Sequence, residues 1–505
     1  MLKTLIFSKV RHAFLLAVLL VSTLGVHALN RSAETSICPI SPESTIEDIR
    51  NELKKMNIPV LDFKMENGAF PTCEYVEHPA GCNGYSIVNN EYVKGSFTIS
   101  LGENTLYESG DYVNKESGVR LKIRGNTSSY EGVIKKSYKI KLSKKADLLF
   151  RDDKNLKDKN WVLLGMGSKK LSYVAGTEVG RICGMPWEPE GRHVVVIIND
   201  EYMGTYYLVE AVSAASHRVD IKDSGYIVEN DAYWWKPDEV YFKSIHQRYD
   251  LGWTFKEPDT DDFHDMSIEN VKWAINNIEH DLFNGKDVTD YIDYPSFVNW
   301  LLAHDIIMTT DGYGSNMFMT KEDFDPQAPY STKFKMGPLW DFDTSFTMNV
   351  KEHATITNLP GFWYHIITKD PLFEELYKER WKEIRETLKE RFISKVEAYV
   401  INNPDIYKAR QIDFNRGLIS ESEVTHPVDD YNNLMDWFDK RIPILNSLIL
   451  GEESGINNIS HEGDKNITQT SSVSHYNLNG LKVNSETNGF VITITSDGKS
   501  TKTIK

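Results

Sequence analysis

Asp311-Gly312-Tyr313-Gly314-Ser315-Asn316, followed by Gly337-Pro338-Leu339-Trp340-Asp341-Phe342-Asp343, are the stretches on which the fold turns. An Asp and an Asn separated by four residues, with an Asp-Phe pair downstream, form the layout that kinase-type phosphoryl transfer uses. In that layout one Asp orients the acceptor hydroxyl, while the Asn and the second Asp hold magnesium against the phosphates. Hard oxygen ligands are required because charge spreads over the phosphoryl oxygens in the transition state. Taken singly, each carboxylate serves as readily as a cap, a turn former or a solvated surface group, and no His-Arg precedes Asp311. Asp341 and Asp343 occupy alternate positions, so an extended segment turns both to one side. Two carboxylates there, close to Asp311, repel unless a cation lies between them. The other reading of Asp343 is a cap on the following turn. Asp311 is thus the candidate catalytic residue, and Asp341, Asn316 and Asp343 are the candidate metal ligands.

Upstream, from Ile58, the chain alternates apolar and polar residues with Gly and Asn between the runs, which predicts strands. Ser137-Tyr138-Lys139-Ile140-Lys141-Leu142 sets Lys139 and Lys141 on one face and Tyr138, Ile140 and Leu142 on the other. A strand lysine reaching nucleotide phosphates has this setting; so has a half-exposed strand with a solvated basic face. Arg124-Gly125-Asn126-Thr127-Ser128 follows another strand. Small residues there let backbone N–H groups approach an anion, and Arg124 can fork onto phosphate; an ordinary hairpin loop reads the same way. Glu210 and Glu229 each end an apolar strand, at places suited to a phosphate-binding lysine or a ribose, or to simple exposure. Glu178, within the helix expected over Ser172–Cys183, is a further partner for such a lysine or part of a solvated helix face. His193 to Ile198, a turn at Asn199-Asp200, and Tyr202 to Glu210 spell a hairpin.

Beyond about residue 260 helices are expected: Asp265–Phe283, Pro295–Met308, a long helix or helix pair over Pro371–Asn402, and Val428–Leu450. Residues 451–474 are rich in Ser, Asn and Gly and read as a linker. From residue 475 a small β-module follows.

The first 28 residues read as a secretory signal: Lys3, Lys9 and Arg11, then an apolar run, then Val26-His27-Ala28. That run is short for a membrane span, and no other apolar stretch is long enough. Cleavage moves the formal charge from −16 to −19. Such an acidic chain argues against nucleic acid or an anionic membrane as partner, and makes any nucleotide site a local basic island. Residues 29–56 form a lead-in that ends in a short helix. Of the four cysteines, Cys73 and Cys82 flank a short loop, and an oxidising compartment makes a disulfide between them an expectation. No Cys-x-x-Cys pair or His cluster points to zinc.

Six blocks in chain order resemble the CotH spore-coat protein kinase family. They are Ile123-Arg124-Gly125-Asn126-Thr127-Ser128, Lys135 to Leu142, Trp161 to Leu164, Asn199 to Glu210, Asp311-Gly312-Tyr313, and Gly337 to Asp343. The resemblance covers roughly residues 57–450. It implies an α+β, two-lobed, divergent protein-kinase-like fold, with a β-rich lobe over about 57–210 and a helical lobe over about 211–450. It implies ATP and Mg²⁺ or Mn²⁺ as cofactors. Asp311 would be the catalytic-loop Asp, Asp341 the metal-binding Asp and Asn316 a second ligand. Lys141, or else Lys139, would bind phosphates with Arg124 assisting. The chain departs from the family at Phe346-Thr347, where a Phe-Gly pair is usual, and at Ser172-Tyr173, near where an Arg-Asn pair is usual. The segment over 475–505 is similar to the C-terminal sorting modules of exported Bacteroidetes proteins.

The expectation is therefore a secreted, metal-dependent kinase acting on Ser or Thr of an exported protein. The alternative is a non-catalytic surface protein that uses the same fold for binding.

Overall fold

The structure is a computed structural model. It describes residues 38–76, 78–82, 86–88, 91–165, 171–237, 239–248, 250–258, 265–309, 312, 315–346 and 362–452, and four strands between 474 and 504. The signal segment therefore lies outside the described residues, as do Asp311 and most of the 451–474 linker. The chain divides into two compact units, residues 1–442 and 443–505.

In the first unit eight strands form one sheet: β1 (Val60–Met65), β4 (Val93–Leu101), β5 (Asn104–Glu108), β6 (Val119–Arg124), β7 (Ser137–Ala146), β8 (Asp158–Leu164), β9 (Gly191–Ile198) and β10 (Glu201–Glu210). A separate hairpin, β2 (Glu74–Val76) with β3 (Ser86–Val88), interrupts the series. The sheet order is β1-β9-β10-β8-β7-β6-β4-β5, and β1 also pairs with β4, so seven strands close into a ring with β5 added outside. The β1–β9 pairing is parallel; the other ring pairings are antiparallel. Alternate residues fill the interior, among them Phe63, Ile99, Leu121, Ile140, Trp161, Val196 and Leu208. This is how a small barrel becomes a packed core.

The long apolar run of β9 has a second cause. Val195 and Ile197 face outward and pack against Ile49 and Leu53 of α1 (Ile46–Leu53) and Ala409 and Ile412 of a helix at Ile406–Asn415. Both faces of β9 are covered, so it shows no polar alternation. The expected hairpin is present: Asn199 and Asp200 both take positive φ, 49° and 63°, and join β9 to β10. Left-handed values at both central positions match the strand twist, and Asn and Asp tolerate them. Thr45 caps α1 in a capping box with Asp48.

A second sheet runs β12-β13-β11-β14-β15, all antiparallel: β11 (Tyr226–Asp231), β12 (Tyr241–Phe242), β13 (Gly252–Glu257), β14 (Met317–Lys321) and β15 (Phe334–Met336). Of these, β13, β14 and β15 were not expected from the sequence. The exposed residues of β13 and β14 are too few to leave an alternating pattern, and β15 is only 3 residues long.

The helices in order are α2 (Ser172–Cys183), α3 (Asp265–Phe283), α4 (Tyr294–Ile307), α5 (Tyr364–Ile367), α6 (Pro371–Asn402), α7 (Ile406–Asn415) and α8 (Pro427–Leu450). The long stretch over 371–402 is one continuous helix, started by the Asp370 cap and Pro371. Nearly every residue of α4 is buried, so it is the central helix of its layer. Trp437 and Arg441 donate to the carbonyls of Ile306 (3.1 Å) and Asp305 (2.9 and 2.6 Å) at its C-terminal end, where main-chain acceptors lack helical partners. Among the described residues no helix is long and apolar enough to cross a membrane.

The expected Cys73–Cys82 disulfide is not formed, and all four cysteines are thiols. Cys73 Sγ turns inward and points at the Ser129 carbonyl, 3.9 Å away, while Cys82 is buried and ends a turn on the Pro79 carbonyl. In the second unit β16 (Ser474–Asn477), β17 (Lys482–Val483), β18 (Phe490–Ile494) and β19 (Ser500–Ile504) form a four-stranded antiparallel sheet, ordered β17-β16-β18-β19.

Candidate active-site cleft

A cavity of about 360 Å³ lies between the barrel and the second sheet. Its barrel wall is basic: Lys122 and Arg124 of β6, Lys139 of β7, and Val162 and Leu164 of β8. Register explains the grouping, since Lys122 pairs with Lys139, and Lys139 with Val162. The loop after β6 folds tightly on itself. Gly125 takes φ 97°, and a Cβ there would stand 2.2 Å from Ser128 Oγ. Ser129 Oγ lies 2.7 Å from the Gly125 carbonyl and 2.9 Å from that of Asn126. The Arg124 guanidinium lies 5.6 Å over the Trp340 ring, which ties this wall to the Asp341 segment.

The opposite wall is acidic. Glu229 and Asp231 come from β11, Glu239 from the loop beyond it, and Lys256 from β13. Lys256 Nζ stands 3.1 Å from Glu229, 3.4 Å from Glu239 and 3.9 Å from Asp231. Burial pulls the ammonium pKa down, but the three carboxylates outweigh it, so Lys256 stays charged. Burial, then the Glu229 charge, pushes the Asp231 carboxyl up to about 7. Lys236 crosses between the walls, donating to Asn126 Oδ1.

The floor is Trp340-Asp341-Phe342-Asp343. Asp341 takes φ 63°, a left-handed value that Asp tolerates better than most residues. Phe342 is driven under α2, where Gly176 leaves the room: a Cβ at 176 would meet the Phe342 ring at 2.1–2.5 Å. The Leu339 N–H donates to the buried Glu188 Oε1 at 3.1 Å. Burial holds the Glu188 carboxyl well above the usual range. The Phe346 N–H donates to the Ile307 carbonyl at 2.8 Å, and Thr309 and Thr344 share a hydroxyl hydrogen bond of 3.0 Å. The chain leaving α4 is thus fastened to the Asp341 segment two residues before Asp311. Tyr173, 3 % exposed in the first turn of α2, donates its phenol proton to Asp341 Oδ1 at 2.8 Å. Burial and the two nearby aspartates raise its pKa far above the ordinary value, which keeps it a donor.

The expected residues distribute as follows. Arg124, Lys139, Asn316, Asp341 and Asp343 all line the one cleft. Asn316, at φ 64°, donates its N–H to Glu229 Oε1 at 2.7 Å just before β14. Lys141 shares the face of Lys139 but lies one pleat farther along, opposite Asn160, and does not line the cavity. Glu210 is not a cleft residue either. It is buried in an ion cluster, 2.9 Å from Arg151 and 3.8 Å from Arg218, and it accepts the Glu190 N–H at 3.0 Å. Glu178 pairs with Arg181 on its own helix, at 3.3 Å. Asp231, Lys236 and Lys256 line the cleft without having been expected there, and Tyr173 was noted only as a departure from the family pattern.

Among the described residues no three His, Cys, Asp or Glu side chains come together as a self-sufficient metal cage. The donors present nonetheless suit a hard divalent ion. Asp341, Asp343 and Asn316 offer oxygens into one cavity facing cationic side chains. Magnesium typically binds through one or two carboxylates, with water and substrate phosphate completing the octahedron.

The CotH kinase protein family matches residues 121–445 of the chain. No curated protein matches it.

Proposed function

The chain belongs to the CotH kinase family, and from that premise we propose that it moves the γ-phosphoryl group of ATP onto Ser or Thr hydroxyls of an exported protein. The observation that carries this reading is a single cleft with cations on one wall and Asp341, Asp343 and Asn316 at its base. In this reading the β-rich body would supply the phosphate-binding side and the segment after it the acids, the division of labour of a two-lobed kinase.

In this reading Lys139 and Arg124 hold phosphate oxygens, and Lys236 adds a third cation from the facing loop. Val162, Leu164 and Phe255 offer apolar surface to the base. Asp341, Asp343 and Asn316 would hold Mg²⁺ or Mn²⁺, which when bound neutralises phosphoryl charge and fixes the angle of transfer. Asp311 accepts the acceptor's proton and orients its oxygen. Phe342 under α2 and Leu339 on Glu188 keep Asp341 in place between turnovers. The signal segment and the C-terminal β-module support export as the setting.

The test is incubation of the mature chain with γ-labelled ATP and Mn²⁺, followed by phosphoamino-acid analysis. Label should enter Ser or Thr of the chain itself or of an added exported protein. Asp341→Asn, which keeps a residue tolerant of positive φ, should lower the rate by about a hundredfold or more with an unchanged melting temperature. Release of free phosphate with no labelled protein would overturn the reading in favour of a hydrolase. Labelling that survived Asp341→Asn would overturn the site.

A further inference from the structure

We propose that Tyr173 makes Asp341 a one-oxygen ligand and thereby sets which divalent cation the cleft accepts. The proposal rests on the reading of Asp341 as a metal ligand. Tyr173 Oη donates to Asp341 Oδ1 at 2.8 Å, so that oxygen is engaged and Oδ2 is the one left for an ion. The phenol has little room to swing away, while the half-buried Asp341 carboxylate lines the cavity. The Tyr173 ring is 3 % exposed and lies 5.5 Å from Tyr207 and 5.4 Å, at right angles, from Phe342. Asp341 is fixed from below by Phe342, which is itself wedged against Gly176. Its backbone sits in the left-handed region, where few alternative conformations exist.

Ion chemistry turns this geometry into a preference. Calcium takes six to eight oxygens at about 2.3–2.6 Å and gains from carboxylates that chelate with both oxygens. Magnesium and ions of similar size take six at about 2.0–2.1 Å and are satisfied by one oxygen per carboxylate. Chelation by Asp341 would require its Oδ1 to give up or share a charge-assisted hydrogen bond within a closed aromatic setting. Binding through one oxygen requires no such change. The phenol therefore disfavours calcium without lowering affinity for the smaller ions, a case of selection by penalty.

The experiment is calorimetric titration of the mature chain with Mn²⁺, Mg²⁺ and Ca²⁺ separately, at concentrations up to the millimolar range. Wild type, Tyr173→Phe and Asp341→Asn are compared, with folding checked by thermal melting. Wild type should bind Mn²⁺ and Mg²⁺ more tightly than Ca²⁺, and Asp341→Asn should lose the binding. In Tyr173→Phe the ratio of Ca²⁺ to Mn²⁺ affinity should rise by about tenfold, the scale set by one hydrogen bond to a charged group. A role in packing alone would weaken all three ions together and leave the ratio still, so an unchanged ratio in folded Tyr173→Phe overturns the inference alone. Should the variant not fold, wild type decides: equal affinity for Ca²⁺ and Mn²⁺ overturns the inference. Wild type that binds none of the three ions overturns the inference and the metal-dependent reading together.

Discussion

Lys139 and Lys141 stand on the same face of β7, one repeat of the pleat apart, and only Lys139 reaches the cleft. Replacing Lys139 by Met should weaken binding of a fluorescent ATP analogue by about tenfold or more, the range for a hydrogen bond to a charged group. Lys141→Met should leave affinity within about twofold; the reverse outcome would move the phosphate site along the strand. Alternation in the sequence places both lysines correctly on one side, but it carries no information about where along β7 the second sheet stops. That is set by packing between distant segments. Glu210 was misleading for the same reason: its partners Arg151 and Arg218 lie on loops whose approach no local pattern announces. Another residue bears on acid stability. His304 is 1 % exposed, donates Nδ1–H to the Trp300 carbonyl at 2.8 Å and lies tilted against that indole, and burial lowers its pKa from 6.5 to about 4. Between those values the unfolded chain binds the proton and the folded chain does not. Stability present above pH 6.5 is therefore lost as pH falls toward 4, by on the order of 3 kcal/mol. His304→Gln should flatten the melting-temperature profile across that window; an unaltered acid limb would show that other groups govern it.

Helix α2 acts as the platform for the cleft floor, because its glycines admit what lies beneath. Gly176 admits Phe342, and a Cβ at Gly180 would meet Glu188 Oε1 and Leu339 Cδ1, each at 2.7 Å. Gly176→Ala should cost about 1–3 kcal/mol by overpacking, read by denaturant unfolding. It should also depress phosphoryl transfer, since displacing Phe342 moves Asp341. A stability loss without loss of activity would show that Asp341 is held by Tyr173 and Trp340 instead. The boundaries of this helix, Ser172–Cys183, were readable because Gly184 at φ 92° ends it and Pro186 follows. The β9–β10 hairpin was readable from Asn199-Asp200. Strand β14 was not: Met317-Phe318-Met319-Thr320-Lys321 is buried along nearly its whole length, so burial erased the period that identifies a strand.

At the scale of the whole molecule the α+β class was legible, since strand patterns precede helical ones along the chain. The ring closure was not. It depends on β1 pairing with β4 on one side and, in parallel, with β9 on the other, across more than a hundred intervening residues. The family match over residues 121–445 starts after β1 and β4, so those closing strands lie outside the matched segment. The cysteines give a test at this scale. With four thiols and no disulfide, dithiothreitol should leave the melting temperature unchanged, whereas losing a native cross-link would cost about 2–5 kcal/mol. A marked drop would mean that the oxidised protein differs from this structure. A hydrogen-bonded hoop has one further consequence. Amides inside it have a neighbour on either flank, so they cannot fray strand by strand as an open sheet does from its border. In deuterium labelling, the central amides of β1, β6 and β9 should exchange together and only with complete unfolding, while those of β5, pinned along one side alone, should exchange first.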